Sequence, residues 1–191
     1  MVVSYHPPIF RPLASLTLSN SLQASLLKCA ASGISVFSPH TALDCVKGGI
    51  NDWLAQGLTG LGQTTVRAIE PRENDEQVGL GRILVYRNAV PLKNIVDSMK
   101  VYLGLKYRML LGSYFCGGCE FYYHEVVQVA SVSTRTEASD IIKSVAICAG
   151  SGGTMLKDVA ADLFFTGEMA HVRRCRILIS GMNLSYLFFP A

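Results

Sequence analysis

Apolar residues along the chain alternate between strand and helix spacing. Met1 to Ser4 opens apolar and β-branched, as a strand does. Leu22, Leu26, Leu27 and Ala30 follow at helical spacing, with Asn20 or Ser21 able to cap the helix and Gly33 ending it. Ile34 to Phe37 is a short apolar strand. Thr41 caps a second helix, with Leu43, Val46, Ile50, Trp53 and Leu54 on one side, and Gly57 to Gly62 closes it. Val66 to Pro71 reads as a strand, the charged run Arg72 to Gln77 as a solvated loop, and Arg82 to Tyr86 as another strand. Pro91 suits the first position of a helix that runs to Leu103. Ser144 to Ala149 is a buried-type strand, followed by Gly150-Ser151-Gly152-Gly153, a short helix to Ala160 and a strand at Asp162 to Thr166. After His171 the pattern degrades. Strands alternating with helices predict an α/β fold.

Composition narrows the class. The 191 residues are 50% hydrophobic and 16% charged, which excludes a disordered chain. At roughly 150 residues per domain the length fits one large domain or two small ones. Seventeen basic against fourteen acidic residues leave a net charge of +3, too little to argue for direct nucleic-acid binding. Of the six cysteines, Cys29, Cys45 and Cys148 sit in apolar runs, so reduced thiols are expected. The opening Met1 to Pro8 lacks a basic start and breaks at Pro7 and Pro8, unlike a signal peptide. The tail from Ile177 to Ala191 is uncharged but shorter than the ~20 residues that span a bilayer. A soluble, cytoplasmic protein without a membrane partner is the expectation.

Four motifs carry candidate chemistry. His6, in Tyr5-His6-Pro7-Pro8, stands at a strand end, where ligands sit in open α/β sheets. His40 and Asp44 are four residues apart at the start of a helix, so both can face one point. An imidazole and a carboxylate make half of a transition-metal site, or, more plainly, a packed ring and a charge that offsets the helix dipole. The Gly150 to Gly153 turn can expose N–H groups to an anion, although a tight turn explains it better. Cys116-Gly117-Gly118-Cys119, with His124 near, lacks the second pair that a structural zinc needs.

Taken in order, Tyr5-His6-Pro7-Pro8-Ile9-Phe10, Ser38-Pro39-His40-Thr41-Ala42-Leu43-Asp44, Gly49-Ile50-Asn51-Asp52-Trp53-Leu54, Ala149-Gly150-Ser151-Gly152-Gly153 and Asp162 to His171 resemble the NIF-three-like family, also called GTP cyclohydrolase I type 2 homologues. The Tyr-His-Pro-Pro form is similar to its eukaryotic branch. The resemblance implies two similar α/β halves around a cleft that holds two divalent metal ions per chain in complete members. It carries His6 and Asp44 over as metal ligands and His40 as a residue behind them. It also implies homo-oligomers and, for eukaryotic members, a transcriptional-regulator protein as partner. Nuclear or mitochondrial pools are compatible with it.

On that resemblance residues 1–107 form the first half with a linking helix, and 127–171 the second. Residues 108–126 read as an insertion that stays out of the core sheet, and 172–191 as a tail with no place for its apolar side chains. The chain would then lack the family's opening strand–helix unit and its closing His and Glu ligands. His6 and Asp44 should still converge at the sheet edge. Two ligands alone predict weak, dialysable metal binding and an inactive chain. Two functions stay open: a metal-dependent hydrolase of a phosphorylated or nucleotide-like small molecule, and a non-catalytic interaction factor.

Overall fold

The first apolar segments close into a small βαβ unit, for which right-handed crossovers are the rule. The structure, a computed structural model, describes residues 1–72, 75–105, 107–111, 126–131, 141–168 and 185–188. Its contacts separate residues 1–43 from 44–191. In the first unit, β1 (Val2–Val3) pairs in parallel with β2 (Val36–Phe37). Between them runs α1 (Ser21–Ala31), whose cap is Asn20: its side-chain oxygen accepts the N–H groups of Leu22 and Gln23, both at 3.1 Å. No residue of this unit is buried.

The next helix, expected as one piece from Thr41, is two: α2 (Thr41–Cys45) and α3 (Ile50–Thr59). The break falls at Gly48, whose φ of 73° is left-handed and cheap only for glycine. Gly57, expected to end the helix, lies inside it. A Cβ there would stand 2.6 Å from the Tyr102 ring, so the position stays small to let that ring close in.

The second unit continues with β3 (Thr64–Arg67), β4 (Glu70–Arg72), β5 (Asp75–Leu80), β6 (Arg82–Pro91), α4 (Leu92–Leu103), β7 (Tyr107–Leu111), β8 (Val126–Ser131), β9 (Ile141–Ser151), β10 (Leu163–Glu168) and β11 (Ser185–Phe188). Seven strands form one mixed sheet in the order β3-β6-β9-β10-β11-β8-β7. Its β9–β10, β10–β11 and β7–β8 pairs are parallel. The predicted α/β class holds, and strands from both expected halves, 1–107 and 127–171, share this sheet.

Period-two alternation explains the two buried faces. Leu84, Tyr86, Val145, Ile147, Leu163 and Phe165 meet α3 and α4 on one face. Ile83, Ala146 and Phe164 meet Leu156 on the other. Each fully buried large side chain contributes about 1.5–3 kcal/mol. Tyr86 buries its ring and donates its hydroxyl to the Leu58 carbonyl at 3.1 Å, and burial pushes its pKa up.

Four expectations are corrected. The run Arg72 to Gln77 is not wholly a loop: Arg72 and Asp75 onward belong to the β4–β5 hairpin, which carries Glu70, Arg72, Asp75 and Glu76 as exposed charges. The helix expected after Gly153 is a set of turns, with the Leu156 N–H on the Gly152 carbonyl at 2.9 Å. Residues 108–111, expected outside the sheet, pair in β7 with β8 from Val126 onward; residues 112–125, including Cys116, Cys119 and His124, lie outside the described residues. Within the tail, Ser185–Phe188 has a place, as β11 between β10 and β8. A short segment that is mostly apolar suits a strand with neighbours on both sides, which periodicity alone does not reveal.

Candidate metal-binding residues

The prolines after His6 stiffen a turn that leads the chain out of β1. The Ser4 hydroxyl donates to the His6 carbonyl at 2.8 Å, and the His40 N–H donates to the Tyr5 carbonyl at 3.1 Å. The second bond ties the strand ends that carry the two histidines. Their rings stand 5.6 Å apart, centroid to centroid. Tyr5 lies edge-on to both, at 4.9 Å from His6 and 5.7 Å from His40, and Phe10 is edge-on to His40 at 5.6 Å. His6 is exposed and His40 half-buried. His40 has a φ of 41°, the one left-handed residue other than glycine among those described. Phe10 also lines an open groove of about 320 Å³ with Pro8, Ile9, Arg11 and Leu13.

Imidazole nitrogens bind a transition metal at about 2.0–2.1 Å, which places two rings on one ion with centroids roughly 5–6 Å apart. The His6 and His40 rings stand at that spacing, and both are donors a divalent cation accepts. Within the first unit the structure brings His40 beside His6, a pairing the four-residue spacing does not reveal.

Asp44 belongs to the second unit and is 8% exposed. Its backbone carbonyl accepts the Asn51 side-chain N–H at 3.1 Å, and Asn51 in turn accepts the Ala149 N–H at 2.8 Å. The thiol of Cys148 is pushed up to about 12, first by burial and then by the charge of Asp44. Among the described residues, no three His, Cys, Asp or Glu side chains gather as a metal cluster.

The Gly150 to Gly153 turn is the tight turn. Its Gly152 N–H is spent on the Thr166 hydroxyl at 3.0 Å, and that hydroxyl donates to the Gly150 carbonyl at 2.9 Å. His171 lies outside the described residues.

Sequence reasoning gave no role to Asn51, Asp52 or Arg82. Arg82 is 1% exposed and spends its guanidinium on Asp52 in a bidentate pair and on four carbonyls, of Gly79, Gly81, Val46 and Gln77. The signal was an arginine opening an otherwise apolar strand, which demands a buried partner.

No helix among the described residues is long and apolar enough to cross a membrane. Protein NIF3 homolog of Schizosaccharomyces pombe is 36% identical over 187 residues, covering 96% of this chain and 59% of that protein. NGG1-interacting factor 3 of Saccharomyces cerevisiae is 35% identical over 179 residues, covering 90% and 55%. The chain thus spans less than two thirds of these relatives' lengths. The crystal structure of a Bacillus cereus protein related to NIF3 shares the fold, with a TM-score of 0.64, 17% identity and coverage of 98% of this chain and 71% of that one. The profile of the Duf34/NIF3 (NGG1p interacting factor 3) family matches residues 1–187, and the chain belongs to that family.

Proposed function

We propose that this chain is a divalent-metal-binding protein, with His6 and Asp44 as ligands and His40 supporting them. The observation that supports this is the approach of the His6 and His40 rings to 5.6 Å, from strand ends tied by a backbone hydrogen bond. A divalent ion so held would supply Lewis acidity and an activated water, the chemistry of hydrolysing a phosphorylated or nucleotide-like small molecule. The test is Mn²⁺ uptake followed by electron paramagnetic resonance, because thiolates compete poorly for that ion. Uptake that is weak, reversed by dialysis and lost in His6→Ala and Asp44→Asn supports the reading. No uptake by the unaltered chain overturns it.

A second reading has its own support. The 35%-identical yeast relative is named as an NGG1-interacting factor, which favours a scaffold that binds a protein partner; a transcriptional regulator as that partner, and assembly with copies of itself, are what the family resemblance adds. Pull-down from nuclear extract, with size-exclusion chromatography of the purified chain, tests it. A protein that captures no reproducible partner counts against it. The free thiols of Cys29, Cys45 and Cys148 suit a cytoplasmic location.

A further inference from the structure

The segment between α2 and α3 would be expected to wander. It is four residues long, Val46 to Gly49, it follows the α2 turn that carries Asp44, and Gly48 has a left-handed backbone within it. Instead, three alternate backbone groups are held by side chains. The Asp44 carbonyl accepts from the Asn51 side chain at 3.1 Å, the Val46 carbonyl from Arg82 at 3.3 Å, and the Gly48 N–H donates to Asp52 at 2.6 Å. Asn51 and Asp52 are neighbours at the start of α3 and face different strands. Asp52 pairs with Arg82 at the head of β6, while Asn51 accepts the Ala149 N–H of β9 at 2.8 Å.

Of these ties, only that of Asn51 reaches Asp44. The carbonyls at the end of a helix lack intrahelical partners and usually turn to water or the following backbone. Here the Asp44 carbonyl is bound by an amide that is itself 2% exposed and fixed to the sheet. An Asn side chain offers a donor and an acceptor from one planar group, which is the chemistry needed to bridge a carbonyl and an N–H. The Asp44 backbone therefore keeps station with β9, and the side chain of this buried residue starts from a fixed point.

We infer that Asn51 is a positioning residue for Asp44: by tying the Asp44 carbonyl to the end of β9, it sets where that carboxylate is presented to a divalent metal ion. This rests on the metal-binding reading above. Groups that orient metal ligands change affinity by about 10- to 100-fold when removed.

The experiment is Mn²⁺ titration of the full chain by electron paramagnetic resonance, with thermal melting of each variant alongside. Asn51→Leu keeps the volume and removes both hydrogen bonds. Tyr86→Phe is the control: it removes a buried hydrogen bond of the same second unit, far along the sequence from Asp44. The expected result is an affinity about 10- to 100-fold weaker in Asn51→Leu and unchanged in Tyr86→Phe, whatever the two melting temperatures. If Asn51→Leu does not fold, Asn51→Gln keeps the amide but lengthens it, and the same loss is expected. A folded Asn51 variant with unaltered affinity overturns the inference, as does an equal loss in Tyr86→Phe. No uptake by the unaltered chain overturns the metal reading itself, and this inference with it.

Discussion

Residues 1–43 and 44–191 are held by different means. The first unit contains an N-capped helix, a parallel pair of strands and a knot of aromatic rings, yet not one buried residue. The second packs helices against one face of a seven-stranded sheet and includes an arginine that is 1% exposed. The first is fixed by local hydrogen bonds and ring contacts, the second by burial. His6 and His40 thus belong to the unit with the least apolar burial, and Asp44 to the unit with the most.

The largest test of this contrast is a pair of truncations. Phe165→Ala, from 0% exposure, should cost about 3–5 kcal/mol in urea unfolding. Leu22→Ala, from 50% exposure on α1, should stay within about 0.5 kcal/mol. Similar costs for both would erase the distinction. Next, Asp52→Asn leaves the guanidinium of Arg82 buried beside a neutral partner. A loss of about 3 kcal/mol is expected, at the low end for a broken buried pair because Asp52 is 25% exposed. Hydrogen exchange then separates the units directly. Amides of β1 and β2 should exchange well before those of β6 and β9, since local opening follows apolar contact; equal protection would refute that order. The smallest effect concerns Cys148. Its folded thiol titrates near 12 against 9.0 for an ordinary one, so the unfolded chain loses its proton first. Stability from this group is complete below pH 9 and is lost as pH rises from there towards 12. Alkylation at pH 8 should be slow, and slightly faster in Asp44→Asn; rapid labelling of the native chain would contradict the burial.

Much of this was legible in residue patterns. Asn20 as a cap, the helix from Pro91 to Leu103 and the strands at Arg82 and Ser144 all follow from spacing and capping chemistry, with Pro91 itself taking the cap position. What escaped depended on partners distant in sequence. Nothing local says that Gly57 lies under Tyr102, or that Ser185–Phe188 finds neighbours on both sides. For the candidate ligands, the four-residue spacing drew His40 towards Asp44. The parallel pairing of β1 with β2, set by long-range contact, brings its ring beside His6.

The backbone at His40 has a consequence for any effort to make this protein more robust. A φ of 41° costs a residue with a Cβ about 1–2 kcal/mol, and glycine pays none of it. His40→Gly would relieve that strain but discard the ring that stands against Tyr5, His6 and Phe10, so a screen for heat resistance weighs the one against the other. Selection for backbone ease and selection for that ring pull in opposite directions at this position. A histidine that persists there through rounds of thermal selection with metal present, and gives way to glycine without it, would reveal which of the two the strain serves.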